Sequence, residues 1–205
     1  MKILLSDAGK RYNREWIFRH VHYTFESGTA YAITGPNGSG KSTLLQVLAG
    51  ATQHSEGAIV QQHEGRELPA DSWYRYCGLV APYLELPEEM TLTEFLDFHF
   101  GFKPALPGIT SQSAIAAIGL QHAAHRQLRY YSSGMKQRVK LAQALFCNVP
   151  LLLLDEPCTN LDAAGIDLYH QLIATHATGR LILVSSNDER EYRFCTQQLN
   201  MQHYK

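Results

Sequence analysis

Apolar and polar residues alternate in the first third of the chain in a way that predicts β-strands. The segment WIFRHVHYTF is typical of one strand, and EGAIVQQHEGREL predicts a hairpin with Gly65 in its turn. Between them, a short apolar strand from Tyr31 to Thr34 leads through a Gly-rich turn into a helix that closes at Gly50. This third of the chain therefore mixes parallel and antiparallel strands.

Helical spacing of apolar residues replaces this alternation from Glu88 to about Arg129. Two segments, TLTEFLDFHFGF and TSQSAIAAIGLQHAA, each open on Thr and repeat their apolar residues at helical intervals. They predict a helical subdomain, approximately residues 84–140, which is inserted in the core of a single domain that spans residues 1–205.

Fully apolar strands alternate with helices in the last third of the chain. The helix SSGMKQRVKLAQALFCN precedes the strand PLLLLDEP, the helix GIDLYHQLIATHA, the strand RLILVSS and a last possible strand, QQLNMQ. Strands of this kind are typical of a parallel sheet that is buried on both faces. The pattern predicts an α/β fold with a largely parallel sheet and an N-terminal antiparallel β subdomain.

A phosphate-binding loop is predicted at residues 35–43, GPNGSGKST, which match G-x-x-x-x-G-K-[ST] between a strand and a helix. Glycines let the backbone wrap a polyphosphate, and the amides of residues 38–43 supply partial positive charge at the helix N-terminus. Lys41 is expected to reach the outer phosphates, and the Ser42 hydroxyl is expected to bind Mg²⁺.

Two carboxylates, Asp155 and Glu156, end the LLLL strand before Pro157. Neighbouring strand residues point to opposite sides, so the two groups can divide their work. One is expected to hold Mg²⁺ through water, while the other orients an attacking water on a γ-phosphate. The alternative is a charged strand end that only begins a turn.

These motifs make the chain similar, over essentially its full length, to the nucleotide-binding subunits of ATP-binding cassette (ABC) transporters. Lys41 and Ser42 match the Walker A motif, and LLLLDEP matches Walker B, with Glu156 at the catalytic carboxylate and Asp155 at the metal. YSSGMKQRVKLAQAL resembles the LSGGQ signature with its helix, and TNLD resembles the D-loop. In size the chain resembles the short heme-exporter cassettes of cytochrome c maturation, although no residue identifies a heme-related cargo.

The resemblance implies a P-loop NTPase (RecA-like) core and a set of site residues. The ATP-binding positions would be Tyr12, which stacks on adenine, and Gly35, Pro36, Asn37, Gly38, Ser39, Gly40, Lys41, Ser42 and Thr43. The signature residues that contact a partner's ATP would be Ser132, Ser133 and Gly134, and Asp162 would belong to the D-loop.

The resemblance also implies a mechanism and partners. Two cassettes, identical or different, would pack head to tail, so that each ATP lies between the Walker motifs of one and the signature of the other. ATP-driven dimerisation would power a separate transmembrane permease and hold the chain on the cytoplasmic face of the inner or plasma membrane.

The chain departs from the family pattern at its switch position. The strand that follows the D-loop helix usually ends on a histidine that contacts the γ-phosphate, and Asn187 in ILVSSND stands there. Asparagine can donate and accept hydrogen bonds but cannot carry a positive charge. We expect hydrolysis to slow by ~10²–10³ if the donor is not replaced, and not to be abolished. The alternative for this polar cluster is a simple turn that leaves the sheet.

Two further departures concern the signature and the Q-loop. Ser133 and Met135 stand where Gly and Gln are usual, which would weaken the contact with a partner's ATP. The Q-loop glutamine falls on Pro82 or Tyr83, and neither has an amide side chain. In the family this glutamine relays the state of the metal site to the permease, so the resemblance leaves coupling to the permease without its usual residue.

The composition limits the remaining classes of function. A formal net charge of −1 gives no electrostatic reason to expect nucleic acid as a partner. The four cysteines are far apart and fit a reduced cytosol. The first apolar run is too short for a signal peptide, and no run approaches the ~18 residues that span a bilayer.

Ten histidines raise the question of a metal site. His20 and His22 would share one face of an extended strand, and His122 and His125 lie one helical turn apart. Without a clustered third ligand, ordinary polar histidines are favoured.

Two other functions compete with an ATPase subunit of a transporter. The first is a nucleotide-gated clamp with little or no hydrolysis, which the missing His and Gln favour and the intact Glu156 opposes. The second is a cassette that acts in repair or translation, which the compact chain without a coiled-coil insertion or basic patch disfavours.

Overall fold

The computed structural model describes residues 1–205 and divides them into two compact units. The first unit comprises residues 1–79, 150–155 and 179–205, and the second comprises residues 80–149 and 156–178. The expected helical insertion, approximately residues 84–140, falls within the second unit. That the whole chain is one ATPase domain stays a prediction.

The predicted strands and helices are present, and the strands Lys2–Tyr12 and Cys77–Val80 and the helix Glu189–Tyr192 are additional. The strands are β1 (Lys2–Tyr12), β2 (Glu15–Glu26), β3 (Ala30–Thr34), β4 (Glu56–His63), β5 (Arg66–Glu67), β6 (Cys77–Val80), β7 (Leu151–Asp155), β8 (Leu181–Ser185) and β9 (Gln197–Asn200). The helices are α1 (Lys41–Leu48), α2 (Leu92–Phe102), α3 (Ser111–Ala117), α4 (Ser133–Leu145), α5 (Ala163–His176) and α6 (Glu189–Tyr192). Short 3-10 helices cover Ala70–Arg75, Gln121–Ala123, Leu128–Tyr130 and Met201–Tyr204.

An antiparallel sheet in the first unit has the strand order β2-β1-β4-β5. Gly65, in the turn between β4 and β5, has a φ of 75°, a left-handed conformation that glycine adopts without steric cost. β1 was not predicted as a strand, because bulges break its alternation between Leu5 and Arg11. The N-terminal antiparallel subdomain is therefore confirmed, with one strand more than the sequence indicates.

A parallel sheet with the order β6-β7-β8-β3-β9 carries the chemistry-bearing residues of the first unit. β7 and β8 are buried at every position, which explains their unbroken apolar sequences. Asp155 pairs in register with Ser185, and Ser185 pairs with Ile33. The carboxyl ends of these three strands therefore meet at one edge of the sheet, where ligands bind in open α/β sheets.

Helix α1 packs against β7 and β8. Its apolar residues Leu44, Leu45 and Leu48 are 0% exposed and belong to one core cluster with Phe18 and Ile33. Burying each such side chain contributes about 1.5–3 kcal/mol to folding. The loop before α1 is therefore held between a strand and a helix that are both fixed by the core.

Helices α2, α3 and α4 are capped by the residue at which the predicted helix opens, whereas α5 begins at Ala163, before the predicted start at Gly165. Thr91 and Thr110 form capping boxes at the starts of α2 and α3, in which each side chain exchanges hydrogen bonds with the third helical residue. Ser132 and Asp162 cap α4 and α5. None of the helices of this protein combines the length and the apolar character needed to cross a membrane.

Candidate functional site

The loop between β3 and α1 has a backbone that only glycine adopts readily. Gly35, Gly38 and Gly40 have φ values of 136°, 78° and 95°. A Cβ atom on Gly40 would lie 2.9 Å from the Ile17 Cγ2 atom, so a larger residue would meet both backbone strain and a close contact. The glycine pattern therefore sets a definite loop shape.

The ammonium group of Lys41 lies against this loop. Its side chain is only 7% exposed, and Nζ donates to the carbonyl oxygens of Gly35 at 2.7 Å and Pro36 at 3.3 Å. A bound polyphosphate would offer charged acceptors, which make stronger hydrogen bonds than carbonyl oxygens. Lys41 is therefore placed by the loop itself for contact with phosphate.

The start of α1 supplies backbone donors. Gly40 is its N-cap and offers no side-chain acceptor, and Leu44 is the first residue whose amide bonds back to Gly40. The amides of Lys41 to Thr43 therefore have no partner within the helix, as at any helix start. Ser42 and Thr43 are both partly exposed in this first turn.

Ser39 belongs to the folded interior of the loop. Its amide donates to the Pro36 carbonyl oxygen at 3.1 Å, and its side chain is 1% exposed. The buried Oγ atom of Ser39 has no hydrogen-bond partner, an uncommon state that an oxygen-rich ligand can relieve.

Tyr12 ends β1 and exposes 45% of its surface. The Lys10 ammonium lies 4.7 Å from the centre of its ring. An exposed aromatic face of this kind can stack on a base, which is the role the resemblance implies.

Asp155 and Glu156 differ sharply in their surroundings. Asp155, the last residue of β7, is 2% exposed, whereas Glu156 is exposed. Glu156 has a φ of 44°, a left-handed conformation that is uncommon for a residue with a side chain. Strain of this kind costs of order 1–3 kcal/mol and persists only where the surrounding structure imposes it.

The polar cluster after β8 combines a turn with a contact to the phosphate loop. The amide of Asp188 donates to Ser186 Oγ at 2.9 Å, and the Asp188 side chain caps α6, so these two residues serve local structure. The Asn187 Nδ2 atom instead donates to Asn37 Oδ1 at 3.1 Å. Ser186 and Asp188 therefore form the expected turn, whereas the role of Asn187 at the switch position stays a prediction.

Asn187 and the nearby Ser185 differ in their exposure to solvent. Ser185 is 0% exposed, while Asn187 is exposed beside the loop. The Arg190 guanidinium bonds both carboxylate oxygens of Asp188 and lowers the pKa of that carboxyl group. Asp188 therefore keeps its negative charge paired next to Asn187.

The signature residues surround the start of α4. The Ser132 Oγ atom accepts a hydrogen bond from the Met135 amide at 3.3 Å, and Ser132 and Ser133 are exposed. A Cβ atom on Gly134 would lie 2.9 Å from the carbonyl oxygen of Asn160, which itself has a φ of 65°. Glycine at 134 therefore allows close contact between the signature and the D-loop.

Asp162 joins the D-loop to two helices. Its Oδ1 atom accepts from the Gly165 amide at 2.8 Å and lies 3.7 Å from Nη2 of Arg138. Asp162 is therefore fixed both by the start of α5 and by a charge on α4.

Three residues of α4 were missed by the sequence analysis. The Gln137 side chain is buried and donates to the Pro157 carbonyl oxygen at 2.6 Å, directly after the Walker B carboxylates. Lys136 pairs with Glu88, and Lys140 Nζ donates to the Pro82 carbonyl oxygen at 3.0 Å. The spacing of the two lysines, four residues apart, is the only signal in the sequence.

Lys140 therefore holds the backbone of Ala81 and Pro82, in the segment that is predicted to be the Q-loop. Burial, and then the nearby charge of Lys136, lower the pKa of Lys140. A cavity of about 570 Å³ lies between residues 82–89 and α4. Tyr83, the other candidate for the glutamine position, is 46% exposed.

The His20 and His22 side chains approach one carboxylate, whereas His122 and His125 do not share an α-helix. His20 has a φ of 55° in a bulged part of β2, and both His20 and His22 approach the Asp7 carboxylate, at 2.7 and 3.6 Å. His122 lies in a 3-10 turn and not in an α-helix. No group of three or more potential ligands is arranged to hold a metal ion.

The parallel sheet and its glycine-rich loop define a nucleotide-binding protein of the P-loop class. The profile of the ABC transporter family matches residues 18–159. The chain therefore belongs to the ABC transporter family, and within that family it is the ATP-binding, ATP-driven subunit of a transporter.

Several curated relatives are similar over most of their length. The cytochrome c biogenesis ATP-binding export protein CcmA of Rhizobium johnstonii is 32% identical over 195 residues, which cover 91% of this chain and 88% of that protein. The protein of the same name from Nitrobacter winogradskyi is 34% identical and covers 83% of each chain. The uncharacterised ABC transporter ATP-binding protein YybJ of Bacillus subtilis is 30% identical, covering 95% of this chain and 89% of that protein.

Solved structures show the same fold. An ABC transporter ATP-binding protein from Pyrococcus furiosus has a TM-score of 0.83 at 20% identity and covers 100% of both chains. A dimeric bacterial ABC transporter cassette has a TM-score of 0.81 at 25% identity, covering 97% of this chain and 93% of that one. The predicted α/β P-loop fold is confirmed.

Proposed function

We propose that this chain hydrolyses Mg²⁺-ATP slowly in a head-to-tail pair of cassettes and thereby drives a separate membrane permease. The observation that carries the proposal is the hydrogen bond from Asn187 to Asn37 in the phosphate loop. This bond connects the residue at the switch position to the loop that would hold the phosphates. Because that residue is an asparagine, the switch position has no positive charge.

The residues around the loop divide the proposed chemistry between them. Lys41 and the first amides of α1 bind and orient the phosphates. Glu156 holds the attacking water, and its exposed position directly after Asp155 supports that role.

The oxygen donors of Ser42 and Asp155 fit a magnesium ion, which prefers hydroxyl, carboxylate and phosphate oxygens. When bound, Mg²⁺ neutralises charge that develops on the phosphates. Asp155 is 2% exposed, so a cation near its carboxylate would offset the cost of burying that group.

The comparisons support the proposed partners. A solved cassette of similar fold is dimeric, and relatives are named ATP-binding export proteins. We assign to this chain a second cassette, identical or different, and a separate permease that holds it on the cytoplasmic face of the membrane. Because two of the relatives above are named for cytochrome c biogenesis, an export system of that class is the first to test.

A clamp that binds ATP but scarcely hydrolyses it is the second candidate. Asn187 cannot supply charge, and Lys140 bonds a backbone oxygen at the position where the family has a glutamine. Both departures favour long-lived ATP-bound pairs over rapid turnover.

Steady-state hydrolysis of Mg²⁺-ATP separates the two functions. We expect Asn187→His to raise kcat at least tenfold, Asn187→Ala to lower it, and Glu156→Gln to abolish it. Asn148→His, at an exposed asparagine in the loop before β7, is the matched control and should leave kcat unchanged. If the unmodified chain is no faster than Glu156→Gln and Asn187→His restores turnover, the chain is a clamp.

A further inference from the structure

A cavity of about 400 Å³ opens beside the start of α4. The signature residues Ser132 to Gly134 form one wall, and Arg138 and Asp162 form another. His122, from the 3-10 turn that follows α3, also lines it. All of these residues belong to the second unit, so the cavity is formed within one compact body.

The polar groups that line this cavity differ in the hydrogen bonds and charge contacts that they already make. The Arg138 guanidinium lies 3.7 Å from the Asp162 carboxylate, so its charge is shared with an acid. Ser132 uses its Oγ atom to accept from the Met135 amide. His122 is exposed and offers a ring N–H donor whether it is neutral or protonated.

The cavity wall contains an imidazole side chain, which the switch position after β8 lacks. Asn187 provides an amide donor beside the phosphate loop but no imidazole and no positive charge. In the proposed dimer, the signature of one cassette faces the ATP that is held by the other. His122, in the wall of the signature cavity, would then lie on the side of the partner's ATP that faces the signature. From there it could supply a further hydrogen-bond donor.

We infer that His122 contacts the terminal phosphate of the nucleoside triphosphate bound by a second copy or paralogue of this chain. This inference rests on the proposed function. It assigns to the signature side the imidazole that is missing from the switch position, and it makes His122 a catalytic residue that acts in trans. The ring N–H donates to a phosphate oxygen, where negative charge is concentrated during hydrolysis.

His125 provides a matched control. It lies three residues further along, is also exposed, and is not part of the cavity wall. We expect His122→Ala to lower kcat for Mg²⁺-ATP by about tenfold or more, with His122→Gln intermediate because it keeps an N–H donor. His125→Ala should match the unmodified chain. Equal rates for His122→Ala and His125→Ala would overturn the inference.

Mixing two impaired variants tests whether His122 acts on the other chain. Lys41→Ala removes the phosphate contact of its own loop but keeps a complete signature cavity. Excess Lys41→Ala added to His122→Ala creates pairs with one complete site, and we expect turnover to rise several-fold above the sum of the separate rates. No rise would show that His122 does not act in trans.

ATP binding to the unmodified chain separates this inference from the proposed function. Binding that is lost in Lys41→Ala, together with turnover that is lost in Glu156→Gln, supports the proposed function whatever His122 does. If the unmodified chain neither binds nor hydrolyses ATP, both proposals are wrong.

Discussion

The side-chain amide of Asn187 donates to the side-chain oxygen of Asn37 at 3.1 Å and so connects the end of β8 to the phosphate loop. The two residues are 150 positions apart in the chain. Their contact gives the polar cluster after β8 a role beyond that of a turn, because it fixes the orientation of an amide beside the proposed phosphates. If this hydrogen bond orients Asn187 for catalysis, replacing Asn187, Asn37 or both should lower turnover to a similar extent.

A double-mutant cycle tests this coupling. Asn187→Ala and Asn37→Ala should each lower kcat about tenfold, and the double variant should lose little more, because either change breaks the same bond. The measurement is Mg²⁺-ATP turnover with KM determined in parallel. Losses that multiply in the double variant would show that the residues act independently.

Two of the three glycines in the loop, Gly38 and Gly40, should differ in their tolerance of alanine. Gly38 and Gly40 both have positive φ, but a Cβ atom at Gly38 meets no atom within 4 Å, while one at Gly40 lies 2.9 Å from the Ile17 Cγ2 atom. We expect Gly38→Ala to lower the free energy of unfolding by about 1 kcal/mol. Gly40→Ala should lose roughly 1–3 kcal/mol more, because it also overpacks the loop. Urea unfolding measures both, and equal losses would contradict the packing argument.

Gly134 should be intolerant of any side chain because of the Asn160 carbonyl oxygen, 2.9 Å from the position of an added Cβ atom. We expect Gly134→Ala to lower turnover at least tenfold, since displacing the signature from the D-loop disturbs the contact with a partner's ATP. Nucleotide binding to the separate chain should persist.

Gly101→Ala is the control for this glycine. An added Cβ atom there meets nothing within 4 Å, and the residue lies in α2, where alanine is favoured by up to ~1 kcal/mol. Its turnover should equal that of the unmodified chain. Normal turnover in Gly134→Ala would rule out a tight signature contact.

His99 should make stability depend on pH. Its Nε2 atom lies 3.0 Å from the Gln143 carbonyl oxygen, and burial, followed by the charge of Lys103, lowers its pKa below the ordinary value of 6.5. Below about pH 6.5 the unfolded chain therefore binds a proton that the folded chain does not. The free energy of unfolding should fall as the pH decreases from 6.5 to the lowered pKa, and should lose no more from this group below it.

Urea unfolding between about pH 7.5 and pH 5 checks this dependence on His99. We expect His99→Gln to flatten the curve and His125→Gln, at an exposed site, to leave it unchanged. A curve of the same slope in His99→Gln would assign the acid sensitivity to other groups.

Local sequence signals predicted the elements that depend on local chemistry. Thr91, Thr110 and Ser132, at which the predicted helices open, all cap helices, because their side chains bond amides three residues away. The glycine spacing of the phosphate loop likewise follows from backbone conformations that other residues avoid. These features require no knowledge of distant parts of the chain.

The features that the sequence did not predict depend on distant partners or on irregular backbone. Bulges break the alternation along β1, since each added residue reverses the pattern, and His20 has a left-handed backbone in the bulged part of β2. The left-handed backbone of Glu156 leaves no sign in its sequence. Lys140 bonds backbone oxygens 58 and 59 positions away, and no side-chain pattern marks such a contact.

The most direct test of the account is the rate of Mg²⁺-ATP hydrolysis per chain as the protein concentration is raised, for the unmodified protein and for Glu156→Gln. We predict a low rate that increases with concentration as cassettes pair, and that is absent in Glu156→Gln at every concentration. A rate that is independent of concentration, or one that survives in Glu156→Gln, would contradict a paired cassette that uses Glu156 for hydrolysis.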